Sequence, residues 1–243
     1  VGYQWKLNGG TTSSDSSGDL TATIQANQTA GISIVKFTTD GDDQTIAHGL
    51  GAKPDMIWLK PLTSANWIVI GKFDEGTFNN KYLLLHTTDA RGTDGSYGEP
   101  TNSLFATSNN ISPDAAHTAF CFTSIKGYSK IGFYKGNGNA NGCFVYCGFK
   151  PAWVIVKQID GADNWQLVDN KINPHNLAET FFSPDTASAE TTHANNIKLD
   201  LLSNGFKCRG SNSVFNGSSN EYLFMAFAEH PFVSSTGTPV TAR

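Results

Sequence analysis

The residues best suited to chemistry in this sequence are two short runs, Asn66-Trp67 and Asp163-Asn164-Trp165, and one acidic turn, Asp40-Gly41-Asp42-Asp43. A tryptophan beside amide and carboxylate groups has the make-up of a sugar platform. Its ring meets the apolar C–H face of a pyranose while the neighbours read the hydroxyls. A Trp that opens a strand is also ordinary core material, and both readings stand at this level. Tyr97 and Tyr128 are lesser candidates of the same kind. The acidic turn is the densest set of oxygen ligands and suits a hard cation such as calcium. It lacks the remaining positions and the closing Glu of an EF-hand, and the matching stretch Gly136-Asn137-Gly138-Asn139 carries no charge, so a plain structural turn is the better reading.

Covalent chemistry has thinner support. No G-x-S-x-G elbow occurs, and His48, His86, His117, His175, His193 and His230 are scattered without H-E-x-x-H spacing. Asp74-Glu75 and Asp160/Asp163 can be nominated as the carboxylate pair of a glycosidase. With 21 acidic residues in the chain such pairs arise anyway, and they read as solvated loop carboxylates. The expectation is a protein that is not an enzyme and needs no cofactor.

The elements that must hold these residues are legible in the composition. The 243 residues are rich in Gly, Ser, Thr and Asn, and 12% are aromatic, with 16 Phe against 2 Met. Aromatic and β-branched residues fit a pleated, half-buried surface, and Gly, Asn and Asp supply turns. The chain therefore reads as all-β. Four cysteines are present, at 121, 143, 147 and 208. Cys143 and Cys147 lie on one strand, about 13 Å apart at ~3.3 Å per residue, too far to bridge. Free, mostly buried thiols are expected, as suits folding in a reducing cytoplasm.

A repeat organises the chain. Gly31-Ile32-Ser33-Ile34-Val35-Lys36-Phe37-Thr38 pairs with Gly127-Tyr128-Ser129-Lys130-Ile131-Gly132-Phe133-Tyr134. Gly51-Ala52-Lys53-Pro54-Asp55-Met56-Ile57-Trp58-Leu59-Lys60 pairs with Gly148-Phe149-Lys150-Pro151-Ala152-Trp153-Val154-Ile155-Val156-Lys157. Trp67 and Trp165 follow, then Phe105 and Phe206, and each half ends in an aromatic strand. The offset grows slowly, from 96 to 101 residues, as in duplicated units with small insertions. Residues 1–30 are expected to hold a first strand and a Gly/Ser/Thr-rich linker, 31–126 a first repeat, and 127–243 a second with a short tail. Gly2-Tyr3-Gln4-Trp5 reads either as the end of an earlier repeat or as an ordinary first strand.

In the second repeat, strands are expected at 129–134, 143–147, 153–158, 165–168, 198–201, 205–209 and 222–228, with a short helical turn at 184–190. Short strands with polar turns in units of about 100 residues predict two tandem β-sandwich-like, jelly-roll-like domains. The runs 56–59 and 153–156 are apolar on both faces and should be central strands.

Charge and hydropathy narrow the partners. The net charge of −4 argues against nucleic acid, which needs a basic excess to displace counterions. No apolar run approaches the roughly 20 residues of a spanning helix, so no membrane insertion is expected.

The run 148–157 followed by a Trp, then Leu202-Ser203-Asn204-Gly205-Phe206-Lys207 and Tyr222-Leu223-Phe224-Met225-Ala226-Phe227-Ala228-Glu229-His230-Pro231-Phe232, resembles repeats near the C-terminus of tail-fibre-like structural proteins of marine bacteriophages. The ending Thr238-Pro239-Val240-Thr241-Ala242-Arg243 is similar too. The resemblance implies a virion component, assembled in the bacterial cytoplasm and exposed outside the cell, with no catalytic residue to carry over. Its partners would be copies of itself, with a trimer as the usual fibre state, other virion proteins, and host-surface glycan. The alternative is a non-adhesive structural or decoration protein. Cys143 and the long loop 172–196 depart from the pattern.

Overall fold

The computed structural model describes residues 4–7, 10–63, 65–73, 77–193 and 196–231. Among the described residues the fold is all-β with one four-residue helix, and the chain divides into two compact units. The first comprises Val1–Leu83 and Gly92–Ile125; the second comprises Leu84–Arg91 and Lys126–Arg243.

The first unit contains Ser13–Asp15 (β1), Ala22–Asn27 (β2), Ile32–Thr38 (β3), Gln44–Ala47 (β4), Met56–Pro61 (β5), Ile68–Gly71 (β6), all but the last residue of Lys81–Leu84 (β7), Gly92–Thr93 (β8), Leu104–Thr107 (β9) and Ala116–Phe122 (β10). Eight of these form one sheet in the order β1-β2-β3-β10-β5-β6-β7-β8, and β4 pairs with β9. Alternation fixes the register. On β3, Val35 and Phe37 are buried while Lys36 and Thr38 are exposed, so a one-residue slip would expose the apolar set. Phe37 meets Phe105 of β9 edge-on at 6.0 Å and stacks on His117 at 5.3 Å.

The segment expected to be a linker is instead structured. β1 and β2 extend the large sheet through Ser13–Ile24 and Ile24–Val35 pairings. Among its described residues Ala22 and Ile24 are the buried apolar side chains, which is why the polar composition hid it.

The second unit contains Ser129–Lys135 (β11), Phe144–Tyr146 (β12), Pro151–Gln158 (β13), Gln166–Asp169 (β14), Thr180–Phe181 (β15), Thr191–Thr192 (β16), Leu199–Leu202 (β17), Gly205–Cys208 (β18), the helix Ser213–Asn216 (α1) and Glu221–Ala228 (β19). One sheet runs β11-β19-β13-β14 and faces a second, β12-β18-β17. The core between them includes Val145, Val154, Val168, Leu201, Phe206 and Phe224. The region 184–190 is a turn rather than helical, and β15 and β16 form a small hairpin around it.

The order β3-β10-β5-β6 recurs as β11-β19-β13-β14, and β4-β9 recurs as β12-β18. β5 and β13 are interior strands, as their two-sided apolar runs require. Within the second unit, helix α1 is tied down by two buried phenols. Tyr134 donates to the Phe215 carbonyl at 2.9 Å and Tyr222 donates to the Ser213 carbonyl. Asn216, 1% exposed, donates to Asn137 Oδ1, the Asn139 carbonyl and the Gly210 carbonyl, and so fastens the 136–139 turn.

Candidate functional site

The tryptophans nominated from sequence differ in burial. Trp165 is 1% exposed and its indole N–H donates to the Leu84 carbonyl at 3.0 Å. A ring so enclosed has no face left for a sugar, and this corrects the platform reading there. Trp67 is half-buried at the start of β6, stacked on Phe120 at 6.2 Å, with Asn66 exposed beside it. Asp163 and Asn164 are half-buried. The Asp163 carboxylate accepts from the Asn164 N–H at 3.1 Å and from the Ser213 hydroxyl at 3.0 Å. Tyr97 is buried, edge-on to Tyr82 at 5.9 Å, and Tyr128 packs on Phe227.

The acidic turn is engaged within its own loops. Asp43 accepts from the Ser96 hydroxyl at 2.8 Å and from the Asn109 N–H at 2.7 Å, and Asp40 accepts from the Asp42 N–H at 3.3 Å. Among the described residues no three His, Cys, Asp or Glu side chains gather as a metal site. Asp74-Glu75 lies outside the described residues, as does the ending 238–243. Asp160 is exposed and accepts from Gln158 Nε2 at 3.0 Å.

Two histidines are core residues. His48 takes the Leu50 N–H at Nδ1 (3.2 Å) and meets the Thr101 carbonyl through Nε2 (3.3 Å). Burial depresses the pKa of both His48 and His117, favouring neutral rings, as the Leu50 contact requires of His48.

The exposed aromatic surface lies instead on β12. In Cys143-Phe144-Val145-Tyr146-Cys147, strand alternation sends Val145 inward at 5% exposure and leaves Phe144 at 45% and Tyr146 at 64%. Their side chains leave the same face two residues apart, about 7 Å along the strand. Opposite Phe144 stands Lys207, and opposite Tyr146 stands Gly205. Gly205 is required: a Cβ there would strike the Val145 carbonyl oxygen and lie 3.1 Å from the tip of the Phe144 ring. One strand further, Asp200 and Leu202 continue the face, with Asp200 3.4 Å from Arg209 Nε. Two aromatic faces beside an ammonium, a carboxylate–guanidinium pair and the exposed Asn204 supply apolar stacking and hydroxyl-reading groups together. The signal that locates this pair in the sequence is the period-two pattern of small inward residues between bulky outward ones.

Two cavities accompany these features. An open cleft of about 640 Å³ in the first unit is lined by Lys6, Leu7, Thr11, Asn27 and Gln28. A pocket of about 70 Å³ in the second is lined by Lys150, Asn170, Asn173, His175 and Asn176. The amides of Asn173 and Asn176 are occupied by backbone groups of Thr180 and Leu201.

These features define a duplicated all-β protein of sandwich-like units, one of which presents an aromatic strand to solvent. The chain belongs to the family described as Domain of unknown function (DUF7483), whose model matches residues 1–231. No curated protein and no solved structure matches it.

Proposed function

We propose that this chain is a non-enzymatic, tail-fibre-like structural protein of a bacteriophage particle that attaches to host-surface glycan. The observation that carries the adhesive part is the solvent-facing pair Phe144 and Tyr146 with Lys207 and Asp200 alongside. A rigid strand holds both rings without any ligand to order them, which lowers the entropy lost on binding. The phage assignment rests on the sequence resemblance. In a homo-oligomeric fibre, trimeric by that resemblance, several such modest sites would add up to useful avidity.

A second reading is a structural or decoration role, with the same face covered by another copy or a neighbouring virion protein. Its support is that β12 is an edge strand of its sheet, with one side of its backbone unpaired by β18.

A bacterial glycan array, probed with the protein oligomerised on a multivalent carrier, tests the adhesive reading. Selective binding that Tyr146→Ala and Phe144→Ala each weaken at least tenfold, with unchanged circular dichroism, supports it. A folded protein that binds no glycan, and whose self-association falls with the same substitutions, supports the structural reading.

A further inference from the structure

We infer that Cys143 and Cys208 form a reversible disulfide site, closed by exchange with a small-molecule disulfide such as oxidised glutathione. The β12–β18 register runs Tyr146–Gly205, Val145–Phe206, Phe144–Lys207, and its next step sets Cys143 against Cys208. That step is made: the Cys208 N–H donates to the Cys143 carbonyl at 3.0 Å, and the two sulfurs are 3.6 Å apart. Directly opposed antiparallel residues have Cα atoms about 4.5–5.5 Å apart, within the roughly 4.4–6.8 Å that a disulfide spans.

Gly142 makes this approach feasible. A Cβ on it would lie 2.8 Å from Cys208 Cβ and 2.7 Å from Asn216 Nδ2, so any side chain would wedge the strands apart beside the thiols. The other two cysteines are differently placed. Cys121 is fully buried in β10 of the first unit, and the Cys147 thiol turns to the Val145 carbonyl at 3.9 Å.

The two thiols differ in the way exchange requires. Cys143 is partly exposed, and the hydrogen bond with Cys208 lowers its pKa; Cys208 is buried, and its pKa is raised by that same bond and by burial. The Cys143 thiolate attacks one sulfur of the small disulfide, that S–S bond breaks, and one thiolate leaves. Cys208 then gives up its proton to the released small thiolate and attacks Cys143 Sγ in the mixed disulfide, expelling the second small thiolate, which takes up the proton that Cys143 had released to solvent. Two protein thiols become one disulfide, and one small disulfide becomes two thiols. The bridge closes a separation of 65 residues and pins the three-residue edge strand that carries Phe144 and Tyr146. The chemistry is independent of whether those rings bind sugar.

The test uses the full chain, equilibrated in glutathione buffers of graded ratio, alkylated, and measured by intact mass and peptide mapping. The expected result is loss of two titratable thiols of the four, a single 143–208 cross-linked peptide, and a Tm raised by about 10 °C over the reduced protein. Cys143→Ser abolishes the cross-link, and Cys121→Ser leaves it intact. Retention of four thiols in oxidised glutathione overturns the inference. So does a stable glutathione adduct on Cys143, or a cross-link joining any other pair. Should a Cys208 variant fail to fold, the wild-type peptide map decides alone.

Discussion

Lys60 and Lys157, 97 residues apart in the sequence, carry out the same structural task. Lys60 Nζ donates to the carbonyls of Pro61 (2.8 Å), Thr63 (3.0 Å) and Ala65 (2.9 Å). Lys157 Nζ donates to those of Gln158 (2.6 Å), Gly161 (3.4 Å) and Thr88 (3.2 Å). Each ammonium closes the loop that leaves an interior strand, β5 or β13, by gathering three carbonyls, which at Lys157 would otherwise face a dry environment. The lysine retained in both repeats is thus a loop clamp, not a ligand-facing charge.

The two clamps differ in exposure, and so should their variants. Lys157 is fully buried, and Lys60 is half-buried where water can replace it. Lys157→Met should destabilise by about 2–3 kcal/mol at pH 7, and Lys60→Met by about 1 kcal/mol or less. Urea denaturation checks this; equal losses would contradict it.

Lys157 also sets a pH signature. Burial lowers its pKa from 10.5 to about 8 against the pull of Asp163, Asp185, Asp89 and Asp160. Between those values the unfolded chain binds the extra proton, so this group alone makes stability rise with pH across the window. In Lys157→Met that contribution is gone. The variant should lose stability more steeply than wild type from pH 8 to 10.

Buried acids act in the opposite direction. Burial pushes the Cys121 and Cys147 thiols up to about 12, and raises Tyr97, Tyr134 and Tyr222. In the unfolded chain thiols ionise near 9 and phenols near 10, so the stability these groups supply is complete below about pH 9 and falls as pH climbs. Wild-type denaturation midpoints at pH 9, 10 and 11 should decline in that order, the several buried acids outweighing the opposite slope of Lys157. A flat series would mean that these groups are not buried as described.

Trp165 and Tyr146 should separate folding from binding. Trp165→Ala removes an enclosed ring and its hydrogen bond to Leu84, and should cost about 3–5 kcal/mol. Tyr146→Ala, at an exposed position, should change stability by less than about 0.5 kcal/mol. Thermal melts of the two variants make the comparison, and a stable Trp165→Ala would reopen its surface role.

Asp43→Ala should remove the ties to Ser96 and Asn109 and cost about 1–2 kcal/mol. Because its oxygens are already engaged, millimolar calcium should move the wild-type Tm by less than about 1 °C. A shift of several degrees would restore the cation-site reading of residues 40–43.

Much of the scaffold could be read from residue order because apolar alternation and turn residues agreed. The expected strands at 129–134, 153–158, 205–209 and 222–228 fall on β11, β13, β18 and β19 within one or two residues. The two strands inside 13–27 escaped because β1 buries nothing fully, and its place is set by pairing with β2. The aromatic site was harder. Trp165 and Tyr146 are both large aromatic residues near polar neighbours, and only the direction of each strand's inner face separates core from platform. That direction is carried by the alternation around Val145, a signal only three residues long in β12 and therefore weak beside those of the longer strands.

On the ribosome, residues 84–91 emerge well before the strands they serve. The Leu84 carbonyl waits for the Trp165 indole, the Thr88 carbonyl for the Lys157 ammonium, and Arg91 for Glu221, which it meets at 2.6 Å. A cut at the repeat boundary, the obvious place to divide the gene, would therefore leave a buried indole without its acceptor and a buried amine with two of its three. Residues 127–243 expressed alone should melt at a lower temperature than the same segment carrying 84–91.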